Sequence, residues 1–405
     1  MTIQDVVPNP DEVATLIVGG FRFDDWESVW VQHRATDGFP QFQFVATERD
    51  PLPTLWDRLQ FKPGDPVTIY LGGRLAMVGM ILRRQTAYDA NSHGVQLYGA
   101  GIQFWAQRAS VVDQTGSFDN MTFEQIARKV YAPFPVKVQV VGTLDATPQH
   151  NVQIAPGQPI FDFLETLARP LGIIIGSDHL GSVLLIGDHQ SPVTGNLYEG
   201  INILRCQCII SFEQTFSEII ARSQSAASNP QNMAKAAWQE AKAPGSAPMF
   251  SPLVVPLEQP VWSLAEVQKR AQNEAVWSNG TIVQATIVVQ GWLRAGRVLW
   301  KPLDLVTVYS PMAMLNPFTM AIQTVTFTQD SESGTLTTLD LVAPWLLKDR
   351  ANANPSDPPN TAAPGDAQPS TAPPATPPPA LVPPAPSEDL PPSPYDDSWV
   401  TGNPS

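Results

Sequence analysis

Two ten-residue stretches lying 239 residues apart set the strongest limit on how this chain can fold. Phe61-Lys-Pro-Gly-Asp-Pro-Val-Thr-Ile-Tyr70 and Trp300-Lys-Pro-Leu-Asp-Leu-Val-Thr-Val-Tyr309 agree at six of ten positions, and most other changes exchange one aromatic or aliphatic residue for another. In each, a proline that cannot sit inside a hydrogen-bonded ladder ends one segment. The aspartate can accept from backbone donors in the turn, and an alternating strand then starts. Each copy continues with a long strand, an Asp–Ser–Gly turn (Asp89, Ser92 and Gly94; Asp330, Ser333 and Gly334) and a last strand, with Tyr98–Ala100 set against Leu341–Ala343. Such a repeat means that one β-rich unit occurs twice in the chain.

The surrounding pattern agrees. Val13–Val18 runs into Gly19-Gly20, a two-residue hairpin signal, and Gly72-Gly73 is a second one. Six or so short strands with glycine-rich turns predict a small barrel or sandwich over residues 1–116. The period then changes to that of a helix. Thr122 and Gln125 form a capping box ahead of Phe123, Ile126, Ala127 and Val130, and a second helix is predicted from Pro159 to Arg169, ending before Pro170. With a short hairpin at 172–186, residues 117–190 read as a small α+β domain. Residues 191–350 read as a second β-barrel domain carrying a helix at 263–278, with Ser263 as its cap. The Ala/Ser/Gln-rich stretch 223–248 reads as a mobile insertion or weak helix. The segment 351–405 has 17 prolines, six acidic residues and no Lys or Arg, a composition that cannot repay its ordering entropy, and it is expected to be disordered. Tyr395, Trp399 and Val400 at its tip are a candidate docking peptide.

Composition narrows the function. The formal net charge is −14 with no run of four basic residues, which argues against a phosphate-binding surface. Charged residues make up only 15% of the chain, as expected where partners cover part of a large folded body. No stretch approaches 18 apolar residues, so no ordinary membrane span is expected, and the N-terminus lacks the features of a signal peptide. Cys206 and Cys208, two apart on a strand, read as buried reduced thiols.

Catalytic chemistry has little to stand on. The nucleophile-elbow, zincin and P-loop motifs and paired C-x-x-C are absent. Ser177, Asp178 and His179 are adjacent and cannot line up as a triad. Asp178/His179 and Asp188/His189 could meet across the small hairpin. Glu124 and Glu165 could be imagined as a glycosidase pair, but both fit ordinary first turns of helices. No catalytic residue, metal or cofactor is assigned. The competing readings are a structural assembly protein, a carbohydrate-binding β module, which the 11 tryptophans keep open, and a cell-wall hydrolase.

The repeat, together with LIVGGFRFDDWESVWVQ at the start, NMTFEQIARKVYAPF at 120–134 and SPLVVPLEQPVWSLAEVQKRAQNEAVWSNGTIVQATIVVQGWLRAGRVLWKPLDLVTVY at 251–309, resembles the baseplate hub proteins of phage Mu and its prophage relatives, the tail family that also includes the T4 baseplate hub. The resemblance covers essentially 13–347. It implies two tail-tube-like β-barrel domains joined by a small α+β domain, in a non-enzymatic homotrimer. That trimer would adapt a sixfold tail tube, or its initiator protein, to a threefold central spike, beside other baseplate proteins. DNA would touch it only in passage through a channel, and the protein would reside in the virion baseplate after assembly in the host cytoplasm. The positions carried over are structural: Gly19 and Gly20 at the first hairpin; Pro63, Asp65, Gly72 and Gly73 in the first barrel's turns; Trp292, Trp300, Pro302 and Asp304 at the entry to the second. Leu303 departs from the family pattern, where glycine is usual.

Overall fold

The computed structural model describes residues 10–36, 38–48, 61–88, 93–112, 116–149, 152–224, 238–257 and 264–349. The tail at 351–405, with Tyr395, Trp399 and Val400, lies outside the described residues, as do Ser263, residues 89–92 and the stretch 225–237 of the expected insertion.

A 3-10 turn (Pro10–Glu12) precedes seven strands: β1 (Ala14–Val18), β2 (Phe21–Phe23), β3 (Ser28–Arg34), β4 (Gln41–Glu48), β5 (Pro66–Leu71), β6 (Arg74–Tyr88) and β7 (His93–Gly101). Gly19 and Gly20 have φ of 58° and 84°, and Gly72 and Gly73 have 55° and 72°. Two successive positive φ values are what a two-residue hairpin needs to follow the twist of its strands, and glycine adopts them without steric cost.

Next come α1 (Gln103–Arg108), β8 (Ser117–Phe118), α2 (Phe123–Tyr131), β9 (Val138–Val141), β10 (Val152–Gln153), α3 (Ile160–Leu171), β11 (Ile174–Ser177) and β12 (Val183–Ile186). The expected capping box is present: Gln125 N donates to Thr122 Oγ1, and Thr122 N donates to Gln125 Oε1 at 2.9 Å. Phe123, Ile126, Phe163, Leu164 and Leu167 bury one face of each helix against Val183 and Leu185. α3 differs from expectation by running through Pro170 to a left-handed Gly172. A proline in the last turn forfeits one hydrogen bond, and its fixed φ is already helical.

The remainder comprises β13 (Val193–Tyr198), β14 (Arg205–Ile210), β15 (Glu218–Gln224), β16 (Trp238–Pro244), β17 (Pro252–Pro256), α4 (Leu264–Gly280), β18 (Val283–Gln290), β19 (Leu293–Arg294), β20 (Val298–Leu299), β21 (Leu305–Ser310), β22 (Leu315–Asp330), β23 (Gly334–Val342) and a 3-10 turn (Pro344–Leu347). Where it is described, the stretch expected to be mobile or weakly helical contains strand: β15 and β16 pair antiparallel, and β17 joins β15 in parallel. Val267, Ala271 and Ala275 of α4 pack on Ile219, Ala221 and Ala243 of this small sheet. The strand character of Trp238–Pro244 comes from a partner some twenty residues upstream, and its own composition does not announce it.

Both copies of the repeat enter one 13-stranded sheet, ordered β14-β18-β23-β22-β3-β4-β7-β6-β5-β1-β2, with β21 and β13 branching from β22. The two copies are continuous through this one sheet, and no closed barrel is found among the described residues. The cause is β22, whose 16 residues are long enough for three neighbours. Its first half pairs with β21 (Met320 facing Val306) and its second half with β3 (Thr326 facing Gln32), while β23 lines the other edge. A bulge between Ile322 and Thr324 separates the halves, and β6 has the matching bulge between Ile81 and Arg83. The two copies accordingly share one core: Leu16, Val31, Phe44 and Leu97 are buried in the same cluster as Ile287, Val325, Phe327 and Leu341.

Register also moves one alignment. Ile81 faces Gly99 and Ile322 faces Leu341, so Gly99 corresponds to Leu341 rather than to Val342. The β22–β23 connection is one residue longer than the β6–β7 one, which makes Gly99 and Leu341 equivalent partners of Ile81 and Ile322.

Candidate functional site

The repeated turns are built alike. Asp65 N donates to Lys62 O (3.1 Å) and Asp304 N to Lys301 O (3.4 Å), closing four-residue turns with Pro63 and Pro302 at the second position. Gly64 N donates to Ile81 O at 2.7 Å and Leu303 N to Ile322 O at 2.9 Å, while Ile81 N and Ile322 N return bonds to Asp65 O and Asp304 O. Each turn is thereby tied to the strand position just before the bulge. The third position of such a turn requires positive φ, and Gly64 (99°) and Leu303 (71°) both have it. Leu303 therefore keeps the geometry of the glycine turn at a cost in backbone strain. Gly64→Leu should lower stability by about 1–2 kcal/mol, because a Cβ there meets nothing and only strain is added. Leu303→Gly should change stability by less, since relief of strain offsets lost packing against Leu347; denaturant titration of both variants checks this.

The aspartates have diverged. Asp65 Oδ2 accepts from Lys62 N at 2.8 Å and stabilises its own turn. Asp304 instead faces Arg294, whose Nη2 lies 3.1 Å from Oδ2, and burial raises its pKa despite that partner. Trp292 is fully buried and donates from Nε1 to Thr328 O at 3.1 Å, and Trp300 lies in the same core. The ten carried-over positions thus occupy separate turns and the core; the fold does not gather them into one pocket.

The residues considered for chemistry are dispersed. Asp178 Oδ1 accepts from Leu180 N and Ser182 N in the hairpin turn, whereas Asp188 follows the far end of β12, so the two Asp–His pairs do not meet. His189 turns elsewhere: its Nε2 lies 3.8 Å from the buried Asp349 carboxylate, which also accepts from Ser191 N. Glu124 and Glu165 pair with Arg128 and Arg169 one helical turn on. Among the described residues no three His, Cys, Asp or Glu side chains gather as a metal set, and no helix is long and apolar enough to cross a membrane.

One titratable group lies at the junction between the copies. His33 on β3 faces Val325 on β22 and meets the edge of the Phe327 ring. Burial drives its pKa down to about 3, with His179 and Lys301 adding repulsion. An unfolded histidine near 6.5 binds a proton that the folded ring refuses, so stability should fall as pH drops from 7 toward 5. The melting temperature of His33→Gln should vary less over that interval. Some slope should persist from His179, whose pKa is also lowered, chiefly by burial.

The feature with the clearest capacity for function is a pair of open sheet edges. β14 ends the strand order, and the second half of β6, from Arg83 to Tyr88, pairs only with β7 among the described residues. These edges are the repeat counterparts of β3 and of the second half of β22, which pair with each other inside the chain. Through the registers on β4 and β18, Val29 and Val31 correspond to Cys206 and Cys208. The valines are 2% and 0% exposed, but the cysteines are only half-buried, and neighbouring Ile209 is 53% exposed. On β6, Arg83, Gln85, Thr86 and Ala87 are exposed. Partial burial raises both thiol pKa values, leaving them neutral at physiological pH.

The sheet's face away from the core is neutral and polar along its middle rows, with Arg34, Arg83 and Arg205 toward their ends. Rows across the junction read Thr338–Thr326–Gln32–Gln41 and Thr328–Trp30–Gln43–Tyr98. Gln32 Nε2 donates to Thr326 Oγ1 at 3.0 Å, and Tyr98 OH donates to Gln41 Oε1 at 3.1 Å. Pairing through sheet edges and a polar lining are expected from the resemblance, but which strands form the open edges and their register were not foreseen from sequence; alternating Gln and Thr in the strands was the available signal for the face.

Comparison with known proteins follows the same division of the chain. Residues 13–101 match the family described as Mu phage baseplate assembly protein GpP-like, N-terminal, and residues 108–187 match that described as baseplate hub protein gp44-like, second domain. Baseplate hub protein gp44 of Escherichia phage Mu is 22% identical over 338 residues, covering 81% of this chain and 86% of that protein. The 43 kDa tail protein of prophage MuSo2 from Shewanella oneidensis has a similar structure (TM-score 0.71, 23% identity, 82% of this chain and 98% of that one). So does a tail protein from Neisseria meningitidis MC58 (TM-score 0.70, 20% identity, 83% and 98%).

Proposed function

We propose that this Mu-like baseplate hub protein is a structural adaptor: a homotrimer whose six repeat units ring one channel between a sixfold tail tube and a threefold central spike. The observation that carries this reading is the complementarity of the two open edges. Inside the chain, β22 of the second copy pairs with β3 of the first. The same pairing between chains would place β6 of one first copy against β14 of the next second copy, so that copies alternate around the ring. A cyclic arrangement leaves neither edge open, which removes the hazard of exposed ladders.

The neutral Gln/Thr face supports a channel lining. DNA sliding past its middle rows would meet uncharged Gln and Thr side chains, and the net charge of −14 offsets the pull of Arg34, Arg83 and Arg205 toward their ends. The tail tube or its initiator, the spike and other baseplate proteins would be the partners, with the Tyr395–Val400 tip as a docking peptide for one of them. The protein would be assembled in the host cytoplasm. No specific arrangement favours a carbohydrate-binding module or a hydrolase. A low-resolution map of the particle or of the purified oligomer tests the proposal. Three chains forming six similar lobes around one axis are expected, and lobes that do not share an axis would overturn it.

A further inference from the structure

The two copies end differently at the β5–β6 and β21–β22 hairpins. In the first copy the tip is Gly72-Gly73, and its Gly72 side is covered while Gly73 faces open space: a Cβ on Gly72 would lie 2.7 Å from Asp11 O and 3.1 Å from Leu293 Cδ1. Leu293 belongs to the β19–β20 hairpin of the second copy. That hairpin is held there by an Arg297–Asp11 ion pair, and Gln329 Nε2 beside it donates to Glu12 O at 2.7 Å. In the second copy the tip is longer, and Met312 and Met314 on it are 86% and 67% exposed. Glu199 Oε2 accepts from Ser310 Oγ and Met312 N, pinning this tip to the turn that carries exposed Ile201 and Leu204. Four bulky apolar side chains on two joined turns make a patch of the kind that marks an interaction surface.

The repeat identifies what would cover it. The β19–β20 hairpin lies between β18 and β21, and the segment between their counterparts β4 and β5 is 49–65, whose part before the repeated turn, 49–60, carries Leu52, Leu55, Trp56 and Leu59. Within the chain, β22 of the second copy pairs with β3 of the first, and the segment after β18 of that second copy reaches Gly72 at the first copy's hairpin tip. By the same relation, the segment after β4 would reach the Met312 tip of the copy whose β14 lies against β6, and that copy belongs to another chain. We propose that residues 49–60 of one chain seat on the Ile201, Leu204, Met312 and Met314 patch of a second copy of this chain. This inference rests on the ring proposed above.

The test mixes full-length chains in which Cys206 and Cys208 are replaced by serine. One partner carries Trp56→Cys and the other Met312→Cys, and a short flexible bismaleimide is added. A parallel mixture of Gln85→Cys with Ile209→Cys reports the ring edges alone. The Trp56→Cys and Met312→Cys chains should link at least about tenfold more than Trp56→Cys with Met249→Cys, an exposed position elsewhere, because docking raises effective concentration. Linkage of the edge pair without linkage of the Trp56→Cys and Met312→Cys pair would overturn the seat and leave the ring standing. Failure of both pairs would overturn both proposals. Coupling of Met312→Cys to its own copy in preference to Trp56→Cys would replace the seat with a two-fold contact.

Discussion

Replacing Thr86 by cysteine should convert the assembled protein, on mild oxidation, into covalent trimers visible on a non-reducing gel. Within the chain, Phe327 of β22 faces Val31 of β3. The β6 counterpart of Phe327 is Thr86, and the β14 counterpart of Val31 is the native Cys208. Facing residues in an antiparallel pair have Cα atoms about 4.5–5.5 Å apart, inside the range that a disulfide bridges. The bond cannot form within one chain: six strands separate β14 from β6 in the sheet, and seven spacings of about 4.8 Å put them roughly 34 Å apart along it. Three bonds would close the ring, so the ladder should stop at three chains. Adding Cys208→Ser should abolish it, and moving the new cysteine to Ala87, which points to the other face, should greatly reduce it. A ladder that stops at two chains, or that ignores Cys208, would exclude the register.

The second large effect concerns how the copies fill their cores. Phe42 on β4 faces Gly99 on β7, and at the equivalent place Ala285 on β18 faces Leu341 on β23. One copy pairs a large residue with none, and the other pairs a small residue with a large one. A Cβ on Gly99 would lie 2.2 Å from Phe42 Cζ and 2.3 Å from Met80 O. Gly99→Leu alone should destabilise by about 3 kcal/mol or more, since a backbone carbonyl cannot yield as a side-chain tip can. Phe42→Ala alone should cost about 3–5 kcal/mol through its cavity. Combined, the two should couple favourably by about 1–3 kcal/mol, while the Met80 carbonyl keeps the double variant below the natural protein. Chemical denaturation of the four proteins measures the cycle. Strict additivity would show that the two pairs are not exchangeable fillings of one site.

These tests mark where sequence reading stops. Lys-Pro-Gly-Asp and Lys-Pro-Leu-Asp were legible as equivalent turns because proline fixes its own backbone locally, although only Asp65 bonds its turn and Asp304 reaches Arg294. The tandem glycines at 19–20 and 72–73, the Thr122–Gln125 box and the amphipathic face of α2 were legible for the same reason: each satisfies a local requirement for φ, capping or periodicity. From that local grammar the sequence by itself determined a β-rich chain with one unit used twice and a helical interlude between.

Only the tertiary structure decided that the two units join edge to edge in one sheet. That outcome depends on Thr324–Gln329 lying beside Val29–Arg34 across nearly 300 residues, and on a one-residue bulge at Gln323 that bends β22 away from β21. Strand pairing is carried by backbone groups that every residue possesses. Composition therefore tells which segments are strands but not which edges they choose. The same physics left β14 and the end of β6 unannounced as candidate interfaces. Gln207, Ile209, Gln85 and Thr86 form an ordinary strand pattern, and they gain significance only once the matching edges inside the chain are seen to be filled.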